Sequence, residues 1–247
     1  MSELLLMLIP PEQQTAERPP APAWNIGIDG NGYYSALDGA YDGIETVGEL
    51  AALISKTGAT VGNAAKPGQT WQQMLDDAAD VDALIKPGAK NILFFGEWVN
   101  TAAEARFTYG LRPVQPIVNY AQARLAAGWE HVVLVGPIPG GSSQTIPGTS
   151  DRATKSWLGS MDRRELQYIK FAERDPKRRK QPYEYVSLAS AAPEFFAFNS
   201  ESNFQSNPAT RLEQEPPFIH PIGKAREAFA AAIASKLTEI MQKADVA

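Results

Sequence analysis

The chain of 247 residues contains no cysteine, which removes disulfides, thiolate nucleophiles and cysteine-ligated zinc from consideration together. Its two histidines, His131 and His220, are too few for a histidine-rich metal centre, so neither a metal nor a cofactor is expected. Positive charge is also sparse. The formal net charge is −5, and the one dense basic cluster, Lys177 to Lys180 between Pro176 and Pro182, reads as a solvated loop. Nucleic acid is therefore not an implied partner. The apolar run Leu4 to Ile9 follows Glu3 rather than a basic residue, is too short for a signal-peptide core and lacks a small-residue cleavage site. A membrane span would need about 20 apolar residues. The expectation is synthesis in the cytoplasm without Sec export and without a membrane span.

What is present is ordinary for a globular protein. With 44% apolar and 21% charged residues, one large domain is the natural reading. The first 23 residues stand apart from it. Pro10-Pro11 and Pro19-Pro20-Ala21-Pro22 disfavour helix and favour an extended, polyproline-like chain. Residues 1–23 thus read as an arm with an apolar tip, to be covered by the domain's own surface or by a neighbouring subunit. Residues 24–247 read as an α/β domain.

From Trp24 onward, short apolar runs alternate with helix-period segments, the pattern of a parallel sheet built from βα units. Strands are expected at Trp24 to Ile28, Ala59 to Gly62, Asn91 to Phe95, His131 to Val135 and Tyr183 to Leu188. Helices are expected at Thr46 to Lys56, from Thr70 to Ile85, from Pro113 to Ala127, near Met161 to Glu173 and from Ile222 to Lys243. Between the fifth strand and His220 a loop of about thirty residues is expected, long for a compact domain. The whole describes a three-layer α/β/α sandwich on a five-stranded parallel sheet, flavodoxin-like in strand order.

The ends of those strands carry a recognisable set of motifs. Ile28-Asp29-Gly30-Asn31-Gly32 closes the first strand and Asn63 to Thr70 follows the second. Gly96-Glu97-Trp98-Val99-Asn100 follows the third, and Phe218-Ile219-His220-Pro221 opens the last helix. Together with the Val-rich strand and Pro-containing loop His131 to Pro139, these make five stretches that, in that order and on those elements, resemble the blocks of the SGNH (GDSL) hydrolases. The resemblance, which covers residues 24–243, implies an α/β sandwich with Gly68 as an oxyanion-type N–H donor and His220 as the general base. It also marks what this chain lacks. The nucleophile position holds Gly30, beside Asp29, and the carboxylate expected three residues before the histidine is Pro217, with Glu213 and Glu215 nearby. Trp98 falls where the oxyanion asparagine belongs unless Asn100 enters through a bulge.

Acyl transfer needs a hydroxyl within reach of an imidazole and a carboxylate to orient that imidazole. The expectation from these departures is a catalytically silent domain used for binding or assembly. SGNH-like domains occur in phage tail, fibre and decoration proteins, so the resemblance suggests a virion component joined to other subunits through its arm. Other readings stay open. An esterase or deacetylase could recruit a displaced hydroxyl such as Ser35 to His220. A glycan-binding module could use Asp29, Asn31, Glu97 and Trp98 as a ligand cleft. Asp29 and Glu97 could act as an acid/base pair, or Asp29 could bond loop backbone. The aromatic residues Tyr33, Tyr34, Trp71, Trp98 and Phe218 would stack on sugars or fill the cleft. Phe195, Phe196, Phe198 and Phe204 could form a lid or a subunit contact.

Overall fold

Strands with near-continuous apolar sequence are expected where a sheet is covered on both faces, and that is how the runs Trp24 to Gly30, Lys90 to Gly96 and His131 to Val135 are placed. A computed structural model describes residues 23–35, 58–97, 114–136, 182–196 and 223–246. The strands are β1 (Trp24–Gly30), β2 (Thr60–Asn63), β3 (Lys90–Gly96), β4 (His131–Val135) and β5 (Glu184–Val186). They form one all-parallel sheet in the order β2-β1-β3-β4-β5. This is the flavodoxin-like order, with its switch point at β1 and β3. The fold is the expected α/β sandwich.

The helices are α1 (Gly32–Ser35), α2 (Trp71–Asp76), α3 (Ala78–Asp82), α4 (Val114–Ala127), α5 (Leu188–Ala191), α6 (Pro193–Phe196) and α7 (Gly223–Val246). On one face of the sheet, Ile26, Ile28, Ile92, Phe94, Val133 and Val135 pack with Phe229, Ile233 and Leu237 of α7. On the other, Leu93, Phe95, Val132 and Leu134 pack with Trp71, Met74, Val81, Ile117 and Tyr120 of α2, α3 and α4. Strand periodicity sorts the two sets: even-numbered residues of β1 and β3 meet α7, odd-numbered ones meet α4.

Two expectations need correction. The helix expected from Thr70 to Ile85 is two short helices, because Asp77 leaves the helical conformation (φ −89, ψ 14) and ends α2. The start was legible: Thr70 and Gln73 form a reciprocal capping box. The stretch after β5 is not a plain loop but begins with α5 and α6. There Phe196 is fully buried against Phe229, ring centroids 6.5 Å apart, so it belongs to the core rather than to a lid or subunit contact. The arm, the helices expected at 46–56 and 161–173, Phe198 and Phe204 lie outside the described residues.

The lower rim of the sheet is closed by polar groups. Asn25 donates to Leu84 O and to Asn91 Oδ1, both at 2.8 Å, while Asn91 donates to Lys86 O and Ala89 O at 3.0 Å. Buried amides need such partners, and these tie the start of β1 and β3 to the turn that follows α3. At the far edge Glu184 of β5 lies 3.1 Å from His131 Nδ1 and 2.7 Å from Lys236 Nζ of α7. Those contacts hold the Glu184 carboxyl down to about 2.

Candidate functional site

Open α/β sheets place their ligands at the carboxyl ends of the strands, beside the switch point. Here that edge is formed by the ends of β1 and β3, whose ladder persists to the last residues, Asp29 opposite Phe95 and Gly30 opposite Gly96. The expected strand ended at Ile28; the two extra residues matter because alternation turns neighbouring side chains to opposite faces. Position 30 faces the α7 side and Asp29 the α4 side.

At Gly30 the chain has a positive φ of 151, which side chains rarely adopt. A Cβ there would stand 2.3 Å from Gly96 O and 2.5 Å from the Tyr34 ring. The second glycine of the pair is equally crowded: a Cβ on Gly96 would stand 2.0 Å from the Tyr34 hydroxyl. Tyr34, delivered by the short helix α1, therefore lies across the ends of β1 and β3. Its hydroxyl donates to Val135 O of β4 at 3.3 Å, and its ring meets Phe229 edge-on at 5.4 Å. The side chain is 1% exposed. Tyr34 is thus a packing residue at the mouth, and so is Trp71, which is buried against Phe95 and Tyr120.

On the opposite face Asp29 is buried. Its Oδ1 accepts from Gly30 N–H at 2.8 Å, and its Oδ2 accepts a short hydrogen bond from the Tyr120 hydroxyl. The first contact is the loop-backbone bond expected for Asp29. Tyr120 was not singled out from sequence. The available signal was a tyrosine on the inward face of a helix, beside Ile117 and Ala121, whose hydroxyl must find a partner when buried. Burial pushes the Asp29 carboxyl up to about 7, against the opposing effects of Tyr120, Gly30 N–H, Arg124 and Lys66. The same burial, with Asp29 alongside, drives the Tyr120 phenol well above its ordinary value.

Asn31 and Glu97 continue the register of β1 and β3 beyond the sheet. Asn31 Nδ2 donates to Glu97 Oε1 at 3.3 Å, and both residues are buried. The second block reaches the same place by backbone. Ala64 N–H donates to Ile28 O at 2.8 Å and Lys66 N–H to Gly30 O at 2.9 Å. Lys66, Pro67, Gly68 and Gln69 then form a turn closed by Gln69 N–H to Lys66 O at 3.3 Å, with Gly68 at φ 76. Proline and glycine at the two central positions are the signature of a type II turn. Asn63 braces this loop, donating to Tyr34 O and accepting from Ala65 N–H, both at 2.9 Å.

Asp29, Gly30, Asn31, Glu97 and the Gly68 turn are therefore brought to one edge. Trp98, Asn100, Glu213, Glu215, Pro217, Phe218 and His220 lie outside the described residues, as do the side chains of Tyr33, Ser35 and Phe195. Among the described residues no group of three or more histidine, aspartate or glutamate side chains is placed to hold a metal ion, and no helix is long and apolar enough to cross a membrane.

No protein-family model matches the sequence, and no curated protein does. Solved structures do match. A candidate acylhydrolase from Bacteroides fragilis is 16% identical, with 87% of each chain covered and a TM-score of 0.57. A GDSL-like lipase from Bacteroides thetaiotaomicron is 17% identical over 87% of this chain and 88% of its own, with a TM-score of 0.54. A candidate SGNH hydrolase from Slackia heliotrinireducens is 18% identical over 87% of this chain and 99% of its own, with a TM-score of 0.56. The strand order, the described stretches after β1, β2 and β3 and these likenesses agree: the chain has the fold of the SGNH (GDSL) hydrolases.

Proposed function

We propose that this chain is an SGNH-fold domain without hydrolytic activity, used for binding or assembly. The observation that carries this reading is the packing at position 30. A nucleophile is not simply absent there; the volume a serine side chain would need is held by Tyr34 and by Gly96 O, 2.5 Å and 2.3 Å from a Cβ. Proline at position 217 and tryptophan at position 98 support it from the sequence. A positioned nucleophile is the part of such machinery whose loss costs most, about 10⁶ in rate in a serine protease.

The test combines p-nitrophenyl acetate with a fluorophosphonate probe on the full chain. The expected result is no turnover above buffer and no labelled serine. Turnover that His220→Ala abolishes, or a labelled serine, would establish the other reading, an ester hydrolase with a displaced hydroxyl. That reading is favoured by the lipolytic names of the structural relatives.

The setting we propose is a virion particle, made in the cytoplasm and joined to other subunits through residues 1–23. Its support is the tethered apolar run Leu4 to Ile9 and the analogy of SGNH-like domains in phage structural proteins. Deleting residues 1–23 should weaken oligomer or particle formation measured by sedimentation; unchanged assembly would remove this part of the proposal. If the partner is instead a glycan, array binding should be lost in Trp98→Ala.

A further inference from the structure

Gly30 is held at both of its polar ends. Its N–H donates to Asp29 Oδ1 at 2.8 Å, and its carbonyl accepts from Lys66 N–H at 2.9 Å. Each of these bonds leads, through side chains, to the same short helix. Lys66 extends its ammonium to Asp77, which precedes α3, at 2.8 Å and to Asp80 within α3 at 2.7 Å. Gln69, at the end of the Gly68 turn, also donates to Asp77 Oδ2 at 3.3 Å. On the other side, Asp29 accepts from the Tyr120 hydroxyl. One turn along α4, the Arg124 guanidinium lies over the Tyr120 ring at 5.3 Å. Arg124 is bound in turn to Asp82, the last residue of α3, at 2.8 Å, and donates to the carbonyl of Ala78, the first, at 3.0 Å. The second oxygen of Asp82 accepts from Trp129 Nε1 at 3.0 Å. The Trp129 ring lies against Gly27 of β1, 2.2 Å from where a Cβ would stand. Three aspartates at one helix are thus connected to three points along the end of β1.

We propose that α3 is a brace for the end of β1, in which Asp77, Asp80 and Asp82 are positioning residues that hold Gly30 from both sides. The outer arm runs through Lys66 to the Gly30 carbonyl; the inner arm runs through Arg124, Tyr120 and Asp29 to the Gly30 N–H. The two arms differ in kind. The Lys66, Asp77 and Asp80 side chains are 44%, 44% and 60% exposed, so each pair is weak and screened by salt. The Arg124 side chain is only 6% exposed, and a buried cation that loses its carboxylate is costly. A soft outer arm therefore sets the Gly68 turn against β1, and a stiff inner arm sets Asp29. The brace also gives the break at Asp77 a purpose: ending α2 there leaves a carboxylate that takes Lys66 and Gln69 from the same turn. It does not depend on the chain being catalytically silent.

Amide hydrogen exchange followed by NMR on the full chain tests it at Gly30. The reference is the amide of Gly136, which ends the neighbouring β4 and donates to Val186 O at 2.8 Å, away from the brace. Lys66→Met should speed local exchange at Gly30 about three- to fivefold, the equivalent of one exposed ion pair, and leave Gly136 unchanged. Lys66→Arg should restore the original rate. In the unaltered chain, raising sodium chloride from about 0.05 M to about 1 M should speed Gly30 in the same way, and Lys66→Met should remove that salt effect. Asp82→Asn should act on the same amide more strongly, by about tenfold or more. If that variant does not fold, Arg124→Lys, which keeps the charge and gives up the planar guanidinium over Tyr120, reads the inner arm more gently. A Gly30 rate indifferent to Lys66→Met and to salt would overturn the outer arm, and one indifferent to Asp82→Asn or Arg124→Lys the inner arm. Equal changes at Gly30 and Gly136 would reduce the network to general stability and overturn the brace as a whole.

Discussion

The two faces of the sheet finish the same strand in different ways. On the α7 face the end of β1 is closed by shape: Gly30 and Gly96 leave room for one tyrosine ring, and Phe229 backs it. On the α4 face, one residue earlier, it is closed by chemistry, as Asp29 binds Tyr120 and the Gly30 N–H. Steric closure is insensitive to pH and intolerant of added atoms, whereas polar closure depends on the charge and hydrogen-bond partners of one titratable group. Neighbouring residues of one strand should therefore fail under different perturbations.

The sharpest break of the comparison is removal of the ring. Tyr34→Ala should lower stability by about 3–5 kcal/mol, the range for emptying a buried aromatic site, with little dependence on pH in urea unfolding. The polar face should show the opposite character. The rise of Asp29 from 3.8 to about 7 corresponds to about 4 kcal/mol at most between pH 4 and pH 8. This contribution should disappear in Asp29→Asn.

Third, Gly30→Ser should cost roughly 2–4 kcal/mol through overpacking and an unfavourable φ. In the Tyr34→Ala background the part due to the ring should be relieved, while the clash with Gly96 O and the unfavourable φ remain. A double-mutant cycle with no coupling would mean that Tyr34 does not define the space at position 30.

A smaller effect is expected where a glycine serves conformation alone. A Cβ on Gly68 would meet nothing within 4 Å, so Gly68→Ala should cost only about 1 kcal/mol of left-handed strain, and Gly68→Asn less. The smallest effect lies at the far edge. Glu184 is held down by His131 and Lys236, so its contribution is present above about pH 4.5 and fades as pH falls toward 2. The group is about a third exposed, so Glu184→Gln should change stability at pH 7 by less than about 1 kcal/mol.

Much of the scaffold was legible because its signals are local. His131 to Val135 and Trp24 announce strands by composition, Thr70 with Gln73 announces a helix start, and block order along the chain pointed to the fold. Helix splitting at Asp77 was not legible, since apolar spacing continues through Met74, Val81 and Leu84 as if one helix ran on. The site was half legible. Asp29, Asn31 and Glu97 were placed together by the strand ends, and Asp29 has the backbone-bonding role assigned to it. What sequence could not supply was distance in space. Tyr120 lies 91 residues from Asp29, and the crowding between Tyr34 and Gly96 arises only when β1 and β3 pair in register. Gly30 read from sequence is a missing serine; in the fold it is also the residue that lets Tyr34 sit down.

That double role gives the hydroxyl of Tyr34 a wider meaning. By spanning from α1 over β3 to the last carbonyl of β4, it makes the identities of positions 30, 34 and 96 mutually dependent. A side chain at position 30 therefore conflicts with the tyrosine ring, with Gly96 O and with the backbone conformation at once. The tyrosine's reach thus couples a choice of side chain at position 30 to two other positions of the sheet end.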